Sequence, residues 1–272
     1  MLNLERLLTF LFVFVLFVVA GEVWPRRRRL LPWYQRWPQA FSMVMIGTVL
    51  SRLLLPMGLV GVALMAERIG TGLLNFVDMP LIVEICVVVL VLDLAVWGQH
   101  WCLHKIPFFW VFHRVHHTDI DFDAFTALRF HPGELLLSLI WKGLVIVALG
   151  APALAVFVFE IALSSVAIFN HSNLALPDWL DRILRRFVVT PDMHRVHHSS
   201  DPSEGLHNFG FLIPWWDRLA GCYLADPKKP HAEMEIGQTA WRTAADNRII
   251  SLLWQPLSQK SHDMPRRRSS LR

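Results

Sequence analysis

The sequence predicts an all-α fold: a polytopic membrane helical bundle with a cytoplasmic helical cap. Three observations lead there. Of 272 residues, 54% are hydrophobic and only 18% are charged, with a mean hydropathy of +0.41; a soluble domain of this length is more polar. The excess lies in long apolar runs separated by polar stretches. Among the polar stretches stand three tight histidine clusters: His100 and His104; His113, His116 and His117; His194, His197 and His198. The pentad His-Arg-Val-His-His occurs twice, at 113–117 and 194–198. Chance does not write that pattern twice, so the cap is expected to carry a histidine-rich di-metal site.

Residues 1–38 read as an N-terminal membrane anchor and a basic interfacial linker. Leu7–Ala20 is the apolar part of a first span. Its length also fits a secretory signal cut after Ala20, but Glu5 offsets Arg6, and Arg26–Arg29 follow at once, a block that resists translocation. Trp24, Trp33, Tyr34 and Trp37 interleave with these arginines and Arg36, as in an interfacial belt. Residues 39–225 form the membrane-embedded catalytic domain. Phe41–Ala66 is a second span, interrupted by Arg52 and Pro56 and expected to kink. Met79–Trp97 is a third, carrying Glu84 and Asp93. Leu135–Leu149 and Ala153–Phe169 make a hairpin around Gly150-Ala151-Pro152, short for two full crossings at ~20 residues each. Residues 226–272 are a polar, basic tail. In it Ile249, Ile250, Leu253 and Leu257 recur at helical spacing, fitting either an interfacial or an ordinary packing helix.

Parity then fixes the sides. With Arg26–Arg29 cytoplasmic, the second and third spans go out and return, bringing His100 back to the cytoplasmic side. The hairpin goes in and comes back, bringing His194–His198 there too. Arg266–Arg268 and Arg272 of the C-terminus land on that side, while the opposite loop, Glu67–Asp78, carries only Arg68. The sequence pI near 9.2 thus reflects membrane orientation, and no nucleic acid partner is expected. Nothing in the sequence sets an oligomeric state.

The chemistry follows from donor type. Cys86, Cys102 and Cys222 form no Cys-x-x-Cys pair, so thiolate sites are disfavoured and imidazole must do the ligation. His100 and His104 stand four apart on one helix face, and His113 and His117 repeat that spacing with His116 adjoining, as do the histidines of 194–198. Neutral imidazole suits iron or zinc rather than magnesium or calcium. Eight rings exceed what one ion can use, which argues for two. His171, ending the fifth apolar segment, and His131, in Arg-Phe-His-Pro-Gly-Glu, are added as ligand candidates. His231 and His262 in the tail read as ordinary surface or core groups.

Three function classes compete. A zinc-dependent intramembrane hydrolase would want His-Glu-x-x-His, and His100-Trp-Cys-Leu-His104 lacks that glutamate. A metal-binding or transport protein would set ligands along a mid-membrane path, whereas these clusters lie at one end of the spans. The third class is a redox-metal oxygenase acting on C–H bonds, a chemistry that needs such metals because no side chain supplies the oxidant itself.

The order of motifs carries a resemblance. Trp97-Gly-Gln-His-Trp-Cys-Leu-His104, Phe112-His-Arg-Val-His-His117, Arg129-Phe-His-Pro132, His171-Ser-Asn-Leu174, Thr190-Pro-Asp-Met-His-Arg-Val-His-His198 and Trp216-Asp-Arg-Leu219 resemble the fatty acid hydroxylase/sterol desaturase superfamily over roughly residues 85–225. The resemblance implies an integral-membrane, non-haem di-iron enzyme that uses O2 and two electrons to hydroxylate or desaturate a lipid. It implies two iron ions, with zinc able to take their place in purified protein, and assigns the eight clustered histidines as ligands. The further paired box of some members is represented only by His171. No Gly-x-Gly-x-x-Gly or Walker loop is present, so electrons are expected from a separate reductase with a ferredoxin or cytochrome b5-like protein.

Supporting carboxylates are sought by the cost of charge in apolar runs. Asp93, seven before His100, is expected to accept a ring N–H from the metal ligands or to pair with a neighbouring helix. Glu160 is expected to pair with Lys142 at equal depth across the hairpin, or to serve the metal site from below His171. Asp119, Asp121 and Asp123 read as a solvated acidic loop. Arg114 and Arg195, at matching places in the pentads, are expected in structural salt bridges, with lipid phosphate contact as the alternative.

Overall fold

The computed structural model describes residues 2–258 and 260. These residues are helical without a β-strand: α1 (Leu2–Val23), α2 (Trp33–Leu54), α3 (Gly58–Ile69), α4 (Leu81–Lys105), α5 (Pro107–His117), α6 (Pro132–Leu149), α7 (Ala153–Asn170), α8 (Asp178–Leu184), α9 (Pro191–His197), α10 (Trp215–Leu219) and α11 (Ile249–Trp254). Five stretches are long and apolar enough to cross a membrane: Leu4–Val23, Trp33–Phe76, Leu81–Lys105, Pro132–Leu149 and Ala153–Asn170. His262, Arg266–Arg268 and Arg272 lie outside the described residues.

The second apolar stretch breaks where the sequence puts Pro56. Proline lacks an N–H, and its ring collides with the carbonyl four residues back. Leu55 accordingly leaves the helical region, with φ of −134°, and α3 restarts at Gly58. Arg52 spans the break, its Nη1 donating to the Pro56 carbonyl at 3.2 Å. At 18 residues each, α6 and α7 reach ~27 Å, slightly less than a hydrocarbon core of ~30 Å. The hairpin turn is tight because Gly150 takes a left-handed φ of +67°, and a Cβ on Gly72 would strike its backbone nitrogen. The loop after α3 therefore closes on the hairpin turn, at the end of the bundle opposite the histidines. Glu67 adds to this junction by accepting the Ala153 N–H at 2.7 Å.

The core lies among α3, α4, α6 and α7: Leu59, Val62, Val88, Leu92, Ile146, Val156 and Phe159 are nearly inaccessible, with Ala63 and Ala155 between them. Small residues at such contacts let helices approach where lipid removes the hydrophobic drive. α1 lies along α7 and α2 along α6. Leu7, Phe12 and Val15 of α1 and Leu53 of α2 point outward, as a lipid-facing surface requires.

Several charged residues find other partners than expected. Glu160 makes its direct ion pair with Arg6, whose Nη1 donates to Oε2 at 2.5 Å, because α1 covers the face of α7 that carries it. Lys142 lies near enough to feel the Glu160 charge but forms no ion pair with it. Glu160 is also eleven residues before His171, ~16 Å along the axis, and does not serve the histidines. Asp119, Asp121 and Asp123 are not solvated but buried. Arg36 Nε and Nη2 donate to Asp119 at 2.9 and 2.7 Å, its Nη1 donates to Asp123 at 2.7 Å, and Asp121 accepts the Leu30 and Leu31 N–H groups at 2.8 and 2.9 Å. The basic linker thus binds an acidic loop of the protein. The tail reaches back too: Met234 and Ile236 pack on Phe122, and Gly237 N donates to the His198 carbonyl at 3.2 Å. α11 is a packing helix on one face, where Leu252 is buried with Met43 and Val115. On its other face Ile250 and Trp254 are exposed, as is Leu257 just beyond it.

Candidate metal centre

Each pentad occupies a short helix opened by proline at its first position: Pro107 in α5 and Pro191 in α9. Proline is tolerated there because that N–H has no intrahelical partner. Thr190 strengthens the second start, its hydroxyl accepting the Met193 N–H. Successive residues on a helix lie about 100° apart, so adjacent histidines within a pentad must diverge. His116 and His117 do, with ring planes at 90°.

That divergence sorts nine rings into two groups. The first holds His100, His104, His113, His117 and His197; the second holds His116, His171, His194 and His198. Within each group the ligating atoms lie within 4.8 Å of one another, and every residue is buried. The pentads contribute in opposite senses. The first sends its outer pair, His113 and His117, to one group and His116 to the other. The second sends His194 and His198 to the latter and His197 to the former. The groups adjoin, with His117 and His198 stacked at 4.3 Å.

Four of the nine rings have their protons directed away from the centres. Carbonyl oxygens only accept, so the facing ring nitrogen must carry the proton. His100 Nδ1 donates to the Phe209 carbonyl at 2.6 Å, His197 Nδ1 to that of His207 at 2.8 Å, and His171 Nδ1 to that of Ala167 at 2.7 Å. His113 Nδ1 faces Glu134 Oε1 at 2.7 Å. A neutral imidazole has one proton, so the inward Nε2 atoms of these four rings are bare lone pairs, whereas the Nδ1 atoms of His116 and His194 meet no acceptor that would fix their tautomers. Yet His100 Nε2 stands 3.0 Å from both His113 Nε2 and His197 Nε2, and His171 Nε2 stands 3.0 and 3.1 Å from those of His194 and His116. The lone pairs of His100, His113 and His197 gathered so closely repel unless a cation lies among them. Both nitrogens of His104 and of His198 are buried without a partner, which a metal would also resolve. The donor set therefore fits transition-metal ions. Burial and the neighbouring rings hold His116, His117, His194 and His198 well below the ordinary imidazole pKa; the same burial brings His197 down to about 3. All are neutral, the form that ligates.

His131 is not brought to either group. Its Nδ1 accepts the Gly133 N–H at 3.0 Å, capping α6, and its Nε2 meets the Leu253 carbonyl at 3.2 Å, so both nitrogens are spent. Asp93 shares the helix face of His100 but sits seven residues, ~10 Å, deeper and does not reach the rings. It accepts Trp216 Nε1 at 2.8 Å and the Leu212 and Ile213 N–H groups at 3.2 and 3.4 Å. Asp217 holds the same loop, accepting the Phe209 and Gly210 N–H groups at 2.9 and 2.8 Å and Trp97 Nε1 at 2.8 Å. Together they fix the segment whose Phe209 carbonyl orients His100. Glu134 and Asp217 escape the sequence reading as supporting residues. The rule applied to Asp93, the cost of a charge in an apolar run, also finds Glu134, which stands in the first turn of α6.

A sequence model of a family described as fatty acid hydroxylase matches residues 85–222, the stretch from α4 through α10. Ornithine lipid hydroxylase OlsE of Rhizobium tropici is 26% identical over 183 residues, covering 66% of this chain and 52% of that protein. Alkylglycerol monooxygenase of Homo sapiens is 26% identical over 144 residues, 50% of this chain and 30% of its own length; that of Xenopus tropicalis is 25% identical over 139 residues, with the same two shares. The chain thus spans about half the first relative and under a third of the others. No solved structure matches.

Proposed function

The chain belongs to the fatty acid hydroxylase family, and from that premise we propose that it is a membrane-bound, O2-dependent di-iron oxidoreductase that hydroxylates a C–H bond of a lipid. Desaturation would use the same ligands. The observation that carries the reading is the pair of buried imidazole groups, five and four rings, with lone pairs turned inward. Iron bound there would supply the oxidant that side chains lack, drawing on O2 and two electrons.

The residues of the chain do the rest. His100, His104, His113, His117 and His197 would hold one ion; His116, His171, His194 and His198 would hold the other. The Phe209, His207 and Ala167 carbonyls and Glu134 fix the tautomers of His100, His197, His171 and His113, so these four would bind metal through Nε2 without rearranging. Phe130 stacks on His116 at 4.3 Å, and Phe122 and Phe209 flank the rings; this apolar wall excludes water from a reactive centre. Neither group includes a carboxylate, and Glu134 is engaged with His113, which leaves a hydrolase without its base. A lipid would enter from the bilayer past the apolar faces of the spans. The centre would face the cytoplasm, where a separate reductase with a ferredoxin or cytochrome b5-like protein delivers electrons.

Two measurements test this. Protein purified without air should carry about two irons per chain, by the ligand count above, and His116→Ala and His197→Ala should each reduce that content. Membranes holding the wild type, compared with those holding His116→Ala, should gain a lipid heavier by one oxygen atom. One zinc per chain, or identical lipids in both membranes, would reject the assignment.

A further inference from the structure

The two pentads place an arginine at the same point, and the protein treats the two differently. Arg195 is fully buried and compensated: it forms an ion pair with Asp192 and meets the Ser172 carbonyl at 3.4 Å. Asp192 in turn takes Arg26 at 2.6 Å. Arg114 is 2% exposed, yet no carboxylate of the described residues pairs with it. Only its Nη2 is engaged, with the Gln255 carbonyl at 2.5 Å and that of Ser258 at 3.2 Å. Its Nε and Nη1 are buried and unpartnered, as is the neighbouring Gln255 Nε2. A buried charge without a counter-charge is costly and is rarely kept unless a partner arrives.

The surroundings say what arrives. The unpaired groups are N–H donors from a guanidinium and an amide, a set that recognises oxyanion oxygens. Trp241 offers its ring face to both Arg114, at 5.4 Å, and Lys260, at 5.1 Å, so a second cation lies close, itself held by Asp246 at 2.8 Å. The covering residues, Gln255–Ser258, continue from α11, and this stretch exposes Ile250, Trp254 and Leu257 at 69, 64 and 73%. An apolar edge ending beside two cations matches the depth profile of a phospholipid headgroup layer. We propose that Arg114, with Gln255 Nε2 beside it, is a binding site for a phosphate oxyanion, either a lipid phosphodiester or free phosphate. The position of α11 favours the lipid.

The test uses the full chain in dodecyl maltoside micelles, which carry no phosphate, and reads thermal unfolding, not turnover, so it stands whether or not the enzymatic assignment holds. Phosphatidylglycerol is titrated into one series and inorganic phosphate into another, against chloride at equal ionic strength. A saturable rise in Tm is expected for wild type, and a shift with phosphatidylglycerol alone identifies the lipid as the source. Arg28→Gln, which removes an exposed arginine, should keep the response. Arg114→Gln should lose it, and Arg114→Lys, which keeps the charge but not the fork, should half-saturate at about tenfold higher ligand. Should the glutamine variant not fold, the lysine variant and wild type still decide. No response to either ligand in wild type, or an equal response in Arg114→Lys, overturns the proposal.

Discussion

A neutral imidazole has one proton to place, and the acceptors around the two histidine groups decide where it goes. Glu134 is the one charged acceptor among them, 2.7 Å from His113 Nδ1. Glu134→Gln should keep the fold but weaken metal retention by about tenfold, the low end for groups behind a ligand; chelator competition measures it, and unchanged release would exclude the role. His131→Ala makes the opposite prediction. It removes the cap of α6 at a cost of ~1 kcal/mol, seen as a lower Tm, and leaves metal content intact. His231 supplies a pH dependence of its own. Burial, aided by the charges of Arg195, Arg26 and Arg185 and opposed by Asp192, brings its pKa from 6.5 down to about 4. Between those values the unfolded chain binds more protons, so the contribution of His231 is full above pH 6.5 and lost as pH falls toward 4. The loss reaches about 3 kcal/mol at most. His231→Gln should shrink the drop in Tm between pH 7 and pH 5, and an unchanged drop would show that other groups govern acid sensitivity.

Elements are held by pairings that cross the sequence. Arg36, in the second turn of α2, meets Asp119 and Asp123 just after the first pentad, so one guanidinium ties a membrane helix to the loop behind the metal centre. Arg36→Met strands two buried carboxylates and should destabilise by about 3–5 kcal/mol, whereas exposed Arg28→Met should change little; denaturation midpoints in one detergent compare them. What the sequence reveals follows the same division. Helix existence and the clustering of the histidines were legible because apolar run length and three- or four-residue spacing are local signals. The break at Pro56 was legible for the same reason. The partners of Glu160 and of the acidic loop were not, because Arg6 and Arg36 lie far away in sequence and nothing local selects them over Lys142 or water. The sorting of each pentad across two groups was hidden too, since it depends on how α5 and α9 face one another. His131 misled because a histidine beside proline offers the same letters as cap or ligand.

At the scale of the molecule, one end of the bundle gathers everything chemical. The end of α1, the start of α2, the end of α4, the start of α6 and the end of α7 all meet near the histidines, while Gly72 and the Gly150 turn close the far end. This arrangement has the parity that the run of spans predicts, and it makes sidedness a single choice for the whole protein. The arginines at 26–29 bias that choice, because cationic segments flanking spans are retained in the cytoplasm. Cysteine introduced at Arg28 and at Lys228, both exposed at the histidine end, should therefore react with an impermeant maleimide in inside-out vesicles and not in right-side-out ones. Phe76→Cys, 84% exposed at the far end, should show the reverse, each measured above the wild-type background from Cys86, Cys102 and Cys222. Labelling of positions 28 and 228 from opposite sides would break the common end on which both metal groups depend. Labelling of both from outside would keep the bundle but move the histidine centre to the other face of the membrane.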